Sequence, residues 1–181
     1  MAWTTPLTAV ANAALTAAQW NASVRDNFAE TVPAKATAAG QMFVATGANA
    51  VAARVPTAAT IDTSQSTTTT ATFGDLATVG PVVASLNTGA QALVGMSAQV
   101  ENSVGNGGGL MAVAVSGSST IAAIGDRGIR LMSGTAGERN RASVVYMQPL
   151  TSGVNTFTAK YTTPTGGTAA FQYRQLFVLP F

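Results

Sequence analysis

Acidic side chains are the groups in this sequence whose chemistry could support catalysis or metal binding. Glycoside hydrolysis needs two carboxylates that face each other across a cleft, and calcium needs several oxygen ligands from one loop, as in Asp-x-Asp-x-Asp-Gly. No such loop is present, and Asp75, Glu101 and Asp126 fall at predicted strand ends or turns, where acids ordinarily act as caps and turn formers. The chain is therefore predicted not to be an enzyme and to hold no metal ion or cofactor. The seven acids are Asp26, Glu30, Asp62, Asp75, Glu101, Asp126 and Glu138.

Cysteine and histidine are both absent from the chain. Their absence removes disulfides, thiol nucleophiles, histidine-based catalytic triads and the usual zinc sites. Residues 105–109, Gly-Asn-Gly-Gly-Gly, form a glycine-rich stretch between two predicted strands. A phosphate-binding loop would open a helix and carry Lys-Ser or Lys-Thr. This stretch is therefore predicted to be a flexible hairpin tip.

The chain carries unusually little charge. Only 9% of its residues are charged, against about 25% in an average soluble protein. A surface built from Thr, Ser, Ala and Gly suits close packing in a permanent assembly. The net charge of +2 is spread along the chain, and the densest basic cluster, Arg127, Arg130, Arg139 and Arg141, is interrupted by Asp126 and Glu138. Nucleic acid is therefore not an expected partner.

The sequence contains no segment of 18 consecutive apolar residues, so no insertion into a membrane is expected. Its first residues, Met-Ala-Trp-Thr-Thr-Pro, lack a basic stretch followed by an apolar one. We therefore expect no secretory signal peptide and synthesis in the cytoplasm of the producing cell.

Residues 63–181 are predicted to form a β-sandwich. Short apolar or alternating segments recur at regular spacing, separated by turn residues such as Gly, Asn, Asp and Ser, with no helix signal between them. This pattern is typical of a mainly β antiparallel jelly roll. The predicted strands are 67–73, 81–86, 90–100, 110–115, 120–124, 128–131, 142–148, 156–161 and 169–179.

The last two strands form a predicted hairpin whose apolar content exceeds what one core needs. The run 176–179, Leu-Phe-Val-Leu, is apolar on both faces of an extended chain. Tyr161 and Tyr173 lie within the two strands, and core packing or a contact between subunits is favoured for them over a sugar platform. The predicted subunit-interface residues are Tyr161, Tyr173, Phe177, Leu179 and Phe181.

Residues 1–62 are predicted to be an anchoring segment. An extended lead is followed by Thr16-Ala-Ala-Gln19, which matches a helix capping box. A helix is expected over about 17–31 and a small hairpin over about 41–55. Neither element is stable in isolation, so both need a surface to dock on. The predicted anchor residues are Trp3, Leu7, Leu15, Trp20, Val24 and Phe28.

Several stretches resemble surface proteins of tailed phages. The C-terminal stretches look like the small jelly rolls of fibre and decoration proteins, which are themselves similar to the C1q/TNF fold. These stretches are 72–81, Gln91-Ala-Leu-Val94, Ser116-Gly-Ser118, Gly153-Val-Asn-Thr-Phe-Thr-Ala-Lys-Tyr161, 167–174 and Val178-Leu-Pro180. In the N-terminal part, 15–27 and 40–47 resemble attachment segments in virion proteins of actinobacteriophages.

The resemblance implies a homotrimeric virion surface protein without catalytic residues. Because 181 residues are few for a long fibre, a capsid decoration or head-fibre protein is favoured. Its expected partners are further copies of itself, the major capsid protein or other virion proteins through residues 1–62, and a host-surface glycan. A tail-tip or tail-fibre receptor-binding protein is the alternative. A glycan depolymerase that uses Asp75, Glu101 or Asp126 is the least favoured hypothesis.

Overall fold

The computed structural model describes residues 4–8, 10–68 and 72–181. The chain forms two compact units, residues 1–55 and residues 56–181. Strand β3 (Thr57–Ile61) lies before residue 62, the boundary expected from composition, and belongs to the second unit.

The first unit begins with one continuous helical segment. Its α-helical turns α1 (Ala17–Trp20) and α2 (Asp26–Ala29) flank a π-helical stretch (Asn21–Arg25), in which the Asp26 N–H donates to the Asn21 carbonyl. The predicted capping box is present. The Gln19 N–H donates to Thr16 Oγ1 at 3.2 Å, and the Thr16 N–H donates to Gln19 Oε1 at 3.0 Å. A further turn, α3 (Val32–Lys35), follows.

The predicted N-terminal hairpin is also present, as β1 (Met42–Gly47) and β2 (Ala50–Arg54). Asn49 occupies the turn at φ +56°, a left-handed conformation that asparagine tolerates. Lys35 fastens the hairpin to the helical part, because its ammonium lies 2.7 Å from Glu30 Oε2 and donates to the Val51 carbonyl at 3.2 Å.

The second unit is a sandwich of two antiparallel sheets. One sheet has the order β5-β10-β7-β8, and the other has β3-β11-β6-β9 with β4 also pairing with β11. From β8 to β11, each connection passes from one sheet to the other, as in a jelly roll. The predicted mainly β antiparallel sandwich is confirmed. The remaining strands are β4 Gln65–Thr67, β5 Val82–Thr88, β6 Gln91–Asn102, β7 Gly108–Gly117, β8 Ile129–Met132, β9 Arg139–Pro149, β10 Gly153–Thr162 and β11 Ala169–Pro180.

Three strand assignments differ from the structure. Of the predicted strand 67–73, only Thr67 lies in a strand, at the end of β4, and residues 69–71 lie outside the described residues. The segment 120–124 makes only an isolated bridge between Ile121 and Val115, so the predicted strand there is wrong. Strand β3 was not predicted, because Thr-Ala-Ala-Thr-Ile has no large apolar residue before Ile61. It forms by pairing with β11, which shows how strand formation depends on the neighbouring strand more than on local preference.

The core lies between the two sheets and is built mainly from β6, β7, β10 and β11. Tyr161 is fully buried at its centre, with its ring centroid 4.8 Å from that of Phe171. Its hydroxyl donates to the Gly80 carbonyl at 2.8 Å. A buried phenol needs such an acceptor, because an unpaired hydroxyl in the core costs free energy.

Two buried asparagines hold the loops at the ends of the strands. The Asn102 amide nitrogen donates to the Gly108 carbonyl at 2.8 Å and to the Gly166 carbonyl at 3.3 Å, and its oxygen accepts from the Val104 N–H at 3.0 Å. Asn155 accepts from the Ser119 N–H at 2.7 Å. Each side chain thus satisfies loop backbone groups that strand pairing leaves unpaired.

Candidate functional site

Two of the three acids considered for chemistry, Asp75 and Glu101, form ion pairs. Both carboxylate oxygens of Asp75 lie 2.8 Å from Lys160 Nζ, and Glu101 Oε2 lies 2.6 Å from Arg139 Nε. Asp126 lies in the short 3₁₀ turn Gly125–Arg127. Within residues 4–8, 10–68 and 72–181, no group of three or more His, Cys, Asp or Glu side chains could hold a metal ion.

Glu138 shows what an acid at a strand end does in this fold. Its carboxylate accepts from the Asn140 amide at 3.0 Å and from the Gly134 and Thr135 N–H groups at 2.8 and 3.3 Å. These hydrogen bonds, that from Asn140 first, hold the pKa of Glu138 below its usual value. The carboxylate therefore closes the turn before β9.

In the first unit, the extended lead lies along the helical segment. The Thr4 N–H donates to Asn27 Oδ1 at 2.9 Å, Asn27 Nδ2 donates back to the Thr4 carbonyl at 3.1 Å, and the Leu7 N–H donates to Ser23 Oγ at 3.2 Å. Asn27 is buried by this contact. The lead is thus held in place by polar contacts, and its large apolar side chains are free to face outward.

The predicted anchor residues are largely exposed. Trp20 is 54% exposed and Phe28 67% exposed, Leu7 and Leu15 are also exposed, and Val24 is half-buried. Trp3 lies outside the described residues. Val10, which was not predicted, is exposed as well. We call the exposed set the N-terminal apolar surface. It consists of Leu7, Val10, Leu15, Trp20 and Phe28.

Part of the N-terminal apolar surface surrounds a depression. Leu7 and Val10 from the lead line a hollow of about 400 Å³ together with Leu15, Trp20 and Val24. Large apolar side chains that surround a hollow on a small unit are characteristic of a contact surface.

The predicted subunit-interface residues do not share one environment. Tyr161 is fully buried in the core, so its ring cannot contact another subunit, and this residue is corrected to a core position. Tyr173 and Phe177 are exposed, and Leu179 and Phe181 are half-buried. Tyr173 sits at a bulge with φ +50°, apart from the regular alternation of β11.

Phe177 and Leu179 belong to a larger apolar surface on the outside of the five-stranded sheet. In register with Phe177 lie Gly95 of β6 and, beyond it, Val145 of β9. In register with Leu179 lie Leu93 and then Met147. We call these six residues the outer sheet face.

Sequence reasoning missed the β9 residues of the outer sheet face. The run Val144-Val-Tyr-Met147 is apolar on both faces of the strand, as 176–179 is. Val144 and Tyr146 pack against the core, while Val145 and Met147 are exposed. The criterion that identified Phe177 could therefore also have identified these two residues.

Gly95 shapes the centre of the outer sheet face. A Cβ at this position would overlap the Phe177 ring, so the ring lies directly over the glycine. Beside the ring is a shallow hollow of about 500 Å³, lined by small side chains that include Ala58, Ser97 and Ser143. Farther along the sheet, the uncharged region ends at Arg141, which lies in register with Gln99, and at the Glu101–Arg139 pair beyond it.

No helix in the described part of the chain is long and apolar enough to cross a membrane.

Neither a protein-family model nor a curated protein matches the sequence. Among solved structures, the chain is similar to the infectious bursal disease virus VP2 subviral particle, with 14% identity, a TM-score of 0.44, and coverage of 76% of this chain and 37% of that one. It is also similar to Eiger TNF from S. frugiperda, with 6% identity, a TM-score of 0.39, and coverage of 66% and 92%. A third similarity is to the C-terminal CBM6 of LamC, a marine laminarinase from Zobellia galactanivorans, with 12% identity, a TM-score of 0.33, and coverage of 67% and 98%. The chain spans just over a third of the length of the VP2 chain it matches. Neither the identities nor the TM-scores are high enough to imply a shared function.

Proposed function

We propose that the protein is a non-enzymatic structural protein of a phage virion, a homotrimeric capsid decoration or head-fibre protein displayed on the particle surface. In this proposal residues 1–55 fasten the protein to the major capsid protein or another virion protein, and the sandwich is displayed outward. A contact between the sandwich and a host-surface glycan is part of the same proposal.

The N-terminal apolar surface is the observation that carries this proposal. The first unit leaves Trp20 and Phe28 more than half exposed, although burying an aromatic side chain contributes about 1.5–3 kcal/mol. A unit of 55 residues that does not bury its own largest side chains gains stability by docking them on a partner. The sequence resemblance of 15–27 and 40–47 to virion attachment segments supports a virion protein as that partner.

The low charge and the outer sheet face support the homotrimer. With 9% of its residues charged, the chain offers little repulsion between copies at close range. A closed symmetric assembly also hides apolar surface without leaving an unpaired copy that could extend into a filament.

The location can be tested on purified particles with gold-labelled antibody against residues 56–181. The proposal predicts label on the capsids of full heads and a trimer mass in native mass spectrometry of the full chain. Absence from full heads would contradict the capsid role, and label confined to the tail tip, with antibody that blocks adsorption, would instead support a receptor-binding protein.

A further inference from the structure

We infer that the outer sheet face is the surface through which copies of this chain associate, with a second copy as its occupant. This inference rests on the proposed homotrimer and assigns its interface. The outer sheet face consists of Leu93, Gly95, Val145, Met147, Phe177 and Leu179.

The apolar residues of this face are contiguous. Val145, Met147 and Phe177 are 54%, 44% and 41% exposed, and they lie on either side of β6 in two adjacent registers. Single exposed apolar residues are normal on soluble proteins, but a contiguous group marks a contact surface.

The size of the sheet fits an interface between proteins. Four strands about 4.8 Å apart and a β6 of twelve residues at about 3.3 Å each give a face of about 19 Å by about 40 Å, or roughly 760 Å². A stable interface buries about 800 Å² on each partner. Side chains that project from the sheet increase its surface area further, so the face is large enough for an interface with another copy.

The charge distribution favours an identical partner. No ionisable side chain lies in the two registers that contain Phe177 and Leu179, so three copies can bring these residues together around a threefold axis without repulsion between charges. Farther along the sheet, Glu101 pairs with Arg139, and the exposed Arg141 leaves this end of the face with one positive charge. A partner recruited by electrostatic steering would instead require a charged patch of one sign around the contact.

The shape of the face supplies both a protrusion and a hollow. The Phe177 ring stands over Gly95, and the hollow beside it is lined by Ser97 and Ser143. Surfaces related by symmetry must be complementary to one another. An aromatic ring from one copy can fill the hollow of the next, which buries Phe177 and removes the water from the hollow.

The outer edge of strand β9 also exposes backbone groups that another chain could pair with. Strand β9 pairs with β6 on one side, and no described strand pairs with its other side. Long flat edges associate unless charge or proline protects them. Arg139 and Arg141 protect the start of β9, whereas 143–147 carry no charge. A copy seated on the outer sheet face would therefore adjoin the unprotected half of this edge.

A matched pair of lysine substitutions tests the inference. Val145 in β9 and Val154 in β10 are both 54% exposed and both lie in strands, but on different sheets. In the full chain at micromolar concentration, V145K is expected to lose the trimer in native mass spectrometry and light scattering. V154K is expected to keep it, and circular dichroism checks that both variants are folded.

The outcomes separate this inference from the proposed function. A wild-type chain that is itself monomeric overturns both. A trimeric wild type whose V145K variant stays trimeric overturns only the surface assigned here, as does an equal loss of trimer in V145K and V154K.

A second variant covers the case in which V145K does not fold. G95A adds one methyl group that displaces the Phe177 ring without adding charge. It is expected to weaken the trimer at least tenfold while the sandwich keeps its circular dichroism spectrum, and a folded G95A with unchanged association would contradict the inference.

Discussion

Tyr161 is the residue at which burial has the clearest chemical consequence. Burial raises the pKa of Tyr161 to about 12, although the nearby Arg174 guanidinium lowers it in part. The folded protein therefore keeps the phenol neutral in a range where the unfolded chain, with a pKa of about 10, loses the proton. By linkage, the stability contributed by the neutral phenol is complete below pH 10 and is lost as the pH rises to about 12.

Stability measured across this range should depend on the Tyr161 hydroxyl. The wild type is expected to lose about 2 kcal/mol of unfolding free energy from Tyr161 between pH 9 and pH 12. In Y161F this part of the loss is absent, while at pH 7 the variant is about 1 kcal/mol less stable because the hydrogen bond to Gly80 is gone. Urea unfolding of both proteins at pH 9 and pH 12 measures the loss of unfolding free energy in each, and unfolding at pH 7 measures the effect of the hydrogen bond. Parallel losses in the two proteins would contradict the assignment.

The burial of Arg174 could not be predicted from the sequence pattern. Strict alternation along β11 from the buried Phe171 would place Tyr173 on the inner face and Arg174 on the outer face. A bulge between Gln172 and Gln175 reverses this order, so Arg174 is fully buried and Tyr173 is exposed. One inserted residue exchanges the two faces of a strand, and nothing in the side-chain pattern announces it.

The buried guanidinium is held by oxygen acceptors. Arg174 donates to the Thr63 carbonyl at 3.2 Å and to Gln65 Oε1 at 3.3 Å, and it lies 5.6 Å from the centre of the Tyr161 ring. The planar guanidinium group can donate hydrogen bonds to several acceptors at once. Arg174 thus fastens the segment before β4 to the core.

At the scale of elements, the regular strands were predictable because their alternation is local. Strands β6, β7, β9, β10 and β11 overlap the predicted segments, and the capping box identified the start of the helical segment. The small strand β3 was missed because it depends on β11, and the π-helical stretch has no sequence signal that we can identify. The β9 half of the outer sheet face was missed although its pattern matches that of β11.

Asn102 shows how one side chain stabilises the loops between elements. N102A removes the only side chain that accepts from the Val104 N–H among the described contacts, and it leaves Gly108 and Gly166 with fewer donors. We expect a loss of about 2 kcal/mol in the free energy of unfolding. N87A, at an exposed asparagine in β5, is the control and should change stability by less than about 0.5 kcal/mol. Chemical denaturation of both variants tests this, and equal midpoints would refute the role of Asn102.

At the scale of the whole molecule, the proposal assigns attachment to the first unit and self-association to the second. Fold class followed from the composition and spacing of the strands, since nearly uncharged, regularly spaced short strands fit few other architectures. The proposed attachment role rests on the exposed side chains of the N-terminal apolar surface. Sequence alone identified most of these residues but not their surroundings.

A substitution in the first unit should separate the two roles. W20Q removes an aromatic side chain from the N-terminal apolar surface and keeps a residue with good helix propensity. Incorporation of the protein into purified particles is expected to fall at least tenfold, which corresponds to a loss of about 1.4 kcal/mol in binding free energy. The trimer mass is expected to be unchanged. V79Q, at a valine of the second unit that is 52% exposed, is the control. Full incorporation of W20Q would contradict the role of Trp20.

The nearly charge-free outer sheet face also determines which conditions would disperse the assembly. Salt screens charged contacts, but this face has none near Phe177, so molar salt should leave the subunits together. Apolar contacts weaken on cooling, so the assembly is expected to be labile in the cold. The trimer is therefore expected to persist in molar salt and to dissociate in the cold.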